Sequence, residues 1–141
     1  MTTFFDTSVL VAAFETSHPH HLESIQRLAA CQPENSACAL HTFAELYSSL
    51  TALPLRPRIS PDQAALFIQE VRERVTPVEL NSDEYFTIIR EAAAHGLTSA
   101  KIYDALLLAC AAKSKAQVIY TWNLKHFHSI APHLADRIQN P

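Results

Sequence analysis

The feature that most constrains the fold is an alternation of short apolar runs with segments of helical periodicity along all 141 residues. The runs at residues 3–5, 37–40, 75–80 and 118–121 have the length of buried strands. Between them, apolar residues recur every three or four positions, as on helices that pack against a sheet. This order predicts an α/β/α sandwich with a central, mostly parallel sheet of four or five strands.

Helix ends are marked by capping residues, prolines and one glycine. Pro54 and Pro57 must end the helix that begins near Thr42, and Ser60 followed by Pro61 begins the next one. Gly96 is expected to end a helix that Asn81 or Ser82 caps. Further helices are predicted after the turn at Asp6, from Pro19, from a Ser99 cap to about Lys113, and from Asn123 to Ile130.

Length and composition fit one domain over residues 1–141, because a chain of this size buries a core without disulfides or structural metal. The three cysteines form neither a C-x-x-C pair nor an even framework, which indicates buried free thiols. The longest apolar stretch, Ala105 to Ala112, is far shorter than the ~20 residues of a membrane span. Residues 1–13 lack the basic start of a secretion signal, so a cytoplasmic protein without membrane contact is expected.

Charge and glycine content exclude two classes of function. A net charge of −3 argues against a protein that coats nucleic acid non-specifically, although it leaves room for RNA bound at a local patch. The single glycine, Gly96, excludes the glycine-rich phosphate loops of nucleoside triphosphatases and dinucleotide-binding folds. Any chemistry on nucleotides must therefore use a different kind of phosphate-binding site.

Asp6, Glu45 and Asp104 are the acids whose positions suggest chemistry. Asp6 follows the first predicted strand, where parallel sheets bind ligands, and Asp104 is the only carboxylate of its helix. Taken singly, each acid has a simpler explanation. Asp6 would cap a helix, Glu45 would lie on a solvated helix face, and Asp104 would be an acid that the helix dipole favours in the first turn. Grouped, they would repel one another unless cations intervened, and such a cluster suits Mg²⁺ or Mn²⁺. Bound metal would activate water for phosphodiester hydrolysis.

Four segments in this order, FFDTSVLV, HTFAELYS, KIYDALLLACA and VIYTWNLKHF, resemble the PIN-domain ribonucleases, and especially the VapC toxins of toxin–antitoxin pairs. Together they span Phe4 to Phe127, which is nearly the whole chain. The resemblance implies a single PIN-like domain and a metal-dependent endoribonuclease that cleaves RNA. It also implies a cognate antitoxin protein as partner, and a homodimer.

Carried over onto matching positions, the resemblance implies that Asp6, Glu45 and Asp104 are catalytic and bind Mg²⁺ or Mn²⁺. Thr121 then lies at the edge of the site. Asn123 falls where many members of the family carry a fourth acid. Because an amide cannot balance the charge of a cation, Asn123 is expected to be a weak ligand or to position water, and a second metal would arrive with RNA.

Other interpretations stay open on the sequence alone. A haloacid-dehalogenase-type phosphatase also carries an Asp after its first strand, but it needs a second Asp where this chain has Ser8. A catalytically silent PIN-like module that binds RNA or protein is the alternative that Asn123 favours. Messenger, transfer and ribosomal RNA are all possible substrates.

The histidines offer two further interpretations. The cluster His18, His20 and His21 suggests zinc, but it lacks the spacing of a structural zinc site and fits an exposed helix start. His126 and His128, with Lys125, would lie near the acids if Asn123 does, and there they would contact RNA phosphate. An exposed polar helix explains them equally well.

Overall fold

One parallel sheet forms the centre of the fold. The computed structural model describes all 141 residues, and its strands are β1 (Thr3–Phe5), β2 (Ser36–Ala39), β3 (Thr76–Val78), β4 (Val118–Tyr120) and β5 (Ile138–Gln139). They lie in the order β3-β2-β1-β4-β5, and every neighbouring pair is parallel. The predicted sheet of four or five strands is confirmed, and it has five.

Helices cover both faces of the sheet. They are α1 (Thr7–Phe14), α2 (His21–Ala29), α3 (Leu40–Ala52), α4 (Pro61–Arg72), α5 (Ser82–Ala94), α6 (Lys101–Ser114) and α7 (Leu124–Ile130), with a 3-10 helix at Pro132–Arg137 before β5. Apolar side chains of α1 to α4 form the core on one face. Those of α6 and α7 form the core on the other face, and α5 packs along α6.

Local signals predicted several helix ends correctly. Ser60 and Gln63 form a capping box at the start of α4, and Asn81 and Glu84 form another at the start of α5. Gly96 has a φ of 71°, the left-handed conformation expected after a helix.

The predicted cap at Ser99 is wrong. Ser99 itself has a positive φ of 56°, whereas a capping residue adopts an extended backbone, and α6 begins after Ala100 without a side-chain cap.

Two predicted strands extend past the ends of the observed ones, at Leu40 and at Val75. Leu40 continues the apolar run of β2, but it is 48% exposed and begins α3 two residues before the predicted start at Thr42. Val75 is buried, yet its amide donates to the carbonyl of Val71, so its backbone belongs to the turn that ends α4. Both residues lie where a strand meets a helix or turn. An apolar side chain suits either element there, so it does not indicate to which one the backbone belongs.

The cysteines behave as predicted. Cys31, Cys38 and Cys110 are buried and unpaired, and burial raises the pKa of Cys38 to about 12 and that of Cys110 to about 11. None of the helices has the length and apolar character needed to cross a membrane.

Strand register positions the acids. Phe5, the last residue of β1, lies opposite Cys38 on one side and Tyr120 on the other. The segments that follow these three strands therefore leave the sheet at the same edge. Asp6 and Thr121 are neighbours for this reason.

Candidate active site

Asp6 is fixed at the carboxyl edge of the sheet. Its amide donates to the carbonyl of Tyr120 at 3.0 Å, and the residue is only 4% exposed. The hydroxyls of Ser8 and Thr121 both donate to carboxylate oxygen Oδ2, at 2.7 and 2.8 Å. Asp6 is the N-cap residue of α1, but its carboxylate makes no capping hydrogen bond of the usual geometry and is held by Ser8 and Thr121 instead.

Thr121 and Ser8 connect this carboxylate to the next segment of chain. The Thr121 hydroxyl accepts a bond from the amide of Asn123 at 3.0 Å, and the Ser8 hydroxyl accepts one from the amide of Trp122 at 3.1 Å. Both hydroxyls orient Oδ2 of Asp6 and leave its other oxygen, Oδ1, without a side-chain donor. Thr121 is therefore a direct contact of Asp6.

Glu45 approaches from α3. Its oxygen Oε2 accepts a bond from the Thr7 hydroxyl at 3.3 Å, and Oε1 lies 3.5 Å from Nε2 of His41, one helical turn earlier. The side chain is 34% exposed. A wholly solvated helix face does not describe Glu45, because its carboxylate is turned towards the first residue of α1.

Asp104 lies in the first turn of α6 and contacts α7. Its oxygen Oδ2 lies 2.9 Å from Nε2 of His126, and the Asp104 side chain is 30% exposed. The expectation that His126 lies near the acids is confirmed. His128 faces away, because its Nε2 contacts the carbonyl of Ile138 at 3.3 Å.

The three carboxylates share one electrostatic environment. Burial raises the pKa of Asp6, Glu45 and Asp104 alike. The charge of Asp6 further raises the pKa of both other acids, and Asp104 adds to the effect on Glu45. His41 and His126 oppose these shifts at their neighbours. Acids contributed by a strand end and two separate helices are thus close enough to repel one another.

The chemistry of this donor set fits a hydrated divalent cation. No group of three His, Cys, Asp or Glu side chains lies close enough together to hold a metal ion in this conformation. Mg²⁺ usually keeps several waters and binds one or two carboxylates together with substrate phosphates, so it does not need such a cage. Asp6 Oδ1 and the carboxylates of Glu45 and Asp104 provide oxygen ligands of that kind.

Asn123 and the amino-terminal histidines complete the predicted set. Asn123 is exposed and reaches the site through its backbone bond to Thr121, while its side-chain amide makes no hydrogen bond.

His18, His20 and His21 do not form a zinc site. Instead, the ring of His21 contacts the carbonyl of Ala12, and the ring of His20 stacks on Trp122.

A buried hydroxyl in α3 gives a prediction about stability. Thr42 is fully buried, and its hydroxyl has no hydrogen-bond partner. We expect Thr42→Val to raise the free energy of unfolding by about 1 kcal/mol, because it removes an unsatisfied polar group. Urea unfolding measures the change. Thr76→Val is the matched control and should lose about 1 kcal/mol, since the Thr76 hydroxyl donates to Pro33. A loss in Thr42→Val would contradict this account.

Comparison with known proteins identifies the class to which this fold and site belong. Residues 3–131 match the family model described as the PIN domain. Among curated proteins, Ribonuclease VapC27 of Mycobacterium tuberculosis is 32% identical over 113 residues, which is 80% of this chain and 79% of the relative. Ribonuclease VapC40 of the same species is 33% identical over 104 residues, 72% of each chain. The chain therefore belongs to the PIN-domain family and, within it, to the VapC type.

Solved structures support the fold independently. The crystal structure of VapC20 from M. tuberculosis, described as a toxin that cleaves the sarcin-ricin loop, superposes with a TM-score of 0.69 at 20% identity, covering 91% of this chain and 95% of that one. VapBC2 from Rickettsia felis, bound to a DNA fragment from their promoter, gives 0.64 at 18% identity, covering 100% and 99%. At sequence identities of 20% and 18%, the structural similarity shows a shared fold only.

Proposed function

We propose that this chain is a metal-dependent endoribonuclease, the toxin of a toxin–antitoxin pair, and that it hydrolyses RNA phosphodiester bonds. The observation that carries the proposal is that Asp6, Glu45 and Asp104 converge at the carboxyl edge of the sheet. Burial raises the pKa of each of these three carboxyl groups. Two relatives that carry the name ribonuclease support it. The phosphatase alternative loses its basis, because Ser8 serves as a hydrogen-bond donor to Asp6.

In the proposed mechanism, Asp6, Glu45 and Asp104 would hold a hydrated Mg²⁺ or Mn²⁺, directly or through its waters, and Asn123 would be a weak ligand or position water. When bound, the cation lowers the pKa of the attacking water and offsets charge that develops on the phosphate. Ser8 and Thr121 fix the orientation of the Asp6 carboxylate by donating to Oδ2. His126 contacts Oδ2 of Asp104 and limits the positions that this carboxylate adopts.

The proposal includes partners. R. felis VapBC2, whose crystal structure is of the form bound to a DNA fragment from their promoter, supports a cognate antitoxin. A homodimer and a cytoplasmic location remain predictions. Leu66 of α4 is 68% exposed and offers an apolar contact for a second copy of the chain. A second apolar surface surrounds a pocket of about 410 Å³ beside Glu45, where Leu40, Tyr85 and Tyr103 are exposed.

The test is cleavage of total cellular RNA by the purified chain, with and without Mg²⁺ or Mn²⁺, followed by sequencing of the new ends. We expect discrete ends that require metal and that disappear in Asp104→Asn. Metal-dependent cleavage at full rate by Asp104→Asn would remove that residue from the mechanism. An intact fold that cleaves no RNA under any of these conditions would favour a silent binding module.

A further inference from the structure

Two aromatic rings stack beside the acidic site. The imidazole of His20 lies on the indole of Trp122 with 3.8 Å between ring centroids and an angle of 11° between the planes. His20 is exposed, whereas Trp122 is partly buried and packs against the core of the α1–α4 face. The indole thus has the core on one side and the imidazole on the other.

The stack is connected to Asp6 by short hydrogen bonds. Trp122 lies between Thr121 and Asn123, and its amide donates to the hydroxyl of Ser8, which donates in turn to Asp6. A group held against these rings is therefore positioned relative to the carboxylate. A second aromatic pair adjoins the acids, since His41 lies 3.5 Å from Glu45 and stacks on Tyr103, but its ring centroids are 6.3 Å apart, against 3.8 Å for His20 and Trp122.

Both rings are held in place before any ligand arrives. The indole Nε1 donates to the hydroxyl of Ser24 at 2.8 Å, and Ser24 is fully buried in α2. The backbone amide of His20 donates to Nδ1 of His18 at 3.0 Å, which fixes the turn that carries the imidazole. Rings ordered in this way lose little conformational freedom when a third ring stacks on them.

We infer that the His20–Trp122 stack is a platform for one nucleobase of single-stranded RNA, and that the base lies on the face of His20 opposite Trp122. Proteins that bind single-stranded RNA stack unpaired bases on rings of this type, and such stacking tolerates different bases. The inference rests on the proposed function for its substrate. A stack that only fastened α2 to the β4–α7 segment would not require its outer ring to be exposed.

The platform provides its own reporter, because Trp122 is the only tryptophan in the chain. We would mix the protein and Mg²⁺ with a mixed-sequence RNA of six nucleotides in a stopped-flow fluorimeter, and read Trp122 fluorescence before cleavage proceeds. The same RNA with abasic riboses is the control ligand. Anisotropy of end-labelled versions of both RNAs measures binding independently of tryptophan.

We expect the base-containing RNA to change Trp122 fluorescence saturably and to bind about tenfold more tightly than the abasic RNA. His20→Ala should lose most of that difference, and His20→Phe, which keeps an aromatic ring, should retain it. Because His20 is exposed, both variants should melt at the temperature of the wild type, and the melting curves check this. Equal affinity for the two RNAs, equal affinity of wild type and His20→Ala, or no binding at all would overturn the inference.

The same proteins are then assayed for cleavage, which separates the inference from the proposed function. Base-dependent binding without cleavage would keep the platform and reject the nuclease. Cleavage without base dependence would keep the nuclease and reject the platform. In a cleaving enzyme, we further expect His20→Ala to raise KM more than it lowers kcat.

Discussion

Replacing Asp6 with asparagine is expected to lower the rate of RNA cleavage by at least about a hundredfold, because it removes a charge that stabilises the cation by several kcal/mol. Asparagine has the shape of aspartate, and its amide oxygen can accept the bonds that Ser8 and Thr121 now donate. The site should keep its geometry and lose its charge. Initial rates at saturating Mg²⁺ measure the effect.

Asp62→Asn is the matched control, since Asp62 is exposed in the first turn of α4, outside the acidic site. It should cleave at the wild-type rate. Cleavage by Asp6→Asn within a few-fold of wild type would contradict the assignment of Asp6, because no other acid occupies its position between β1 and β4.

The same substitution is expected to stabilise the metal-free protein. Burial raises the pKa of Asp6, so the folded chain holds that proton more tightly than the unfolded chain does. Stability should therefore fall as pH rises from the unfolded pKa through the raised folded pKa, and stay lower above it. Asp6→Asn removes this loss, and we expect a gain of about 0.5–2 kcal/mol at pH 7 in EDTA. Urea unfolding of both proteins between pH 4 and 8 measures it, and an advantage of Asp6→Asn over the wild type that does not grow with pH would contradict it.

Truncation of Phe127 to alanine is expected to lower the free energy of unfolding by about 3–5 kcal/mol. Phe127 is 1% exposed and packs with Phe4 and Ile119 of the central strands. It is also the only fully buried residue of α7, whose Leu124 and Ile130 are partly buried against the same core, so Phe127 is the main anchor of this helix. Because domains are stable by only about 5–15 kcal/mol, the loss is a large fraction of the total.

Equilibrium unfolding in urea measures this loss, and Phe127→Leu is the control that keeps most of the buried volume. We expect the control to lose less than about 1.5 kcal/mol. Since α7 holds His126 against Asp104, Phe127→Ala should also reduce cleavage at temperatures where the chain is still folded. A loss of stability below about 1 kcal/mol would show that α7 is held by something other than Phe127.

The architecture was predictable because it depends on periodicity, which one sequence displays. Strands and helices alternate as the apolar pattern indicates, and the capping boxes at Ser60 and Asn81 lie where local chemistry favours them. Junctions were less predictable. Leu40 and Val75 are apolar at the ends of apolar runs, and only the hydrogen bonds of the folded chain decide which element holds their backbones.

The candidate site was predictable in its acids and not in their surroundings. The resemblance of four segments pointed to Asp6, Glu45 and Asp104, and also to Thr121 and Asn123. The bond from Thr121 to Asp6 joins residues 115 positions apart, and no spacing rule reveals it. His41 lies one turn from Glu45, so helical periodicity offered a signal for that contact. The stack of His20 on Trp122 had no comparable signal.

The position of β1 between β2 and β4 has a consequence for synthesis of the chain. Asp6 emerges from the ribosome first, but Thr121 and the α7 residue that holds Asp104 emerge among the last. A nascent or truncated chain that lacks its final quarter has no partner for one side of β1, and its Asp6 carboxylate lacks the bond from Thr121. The proposed toxin should therefore be harmless until translation is nearly finished, which gives the cell an interval in which the antitoxin can be present before activity appears.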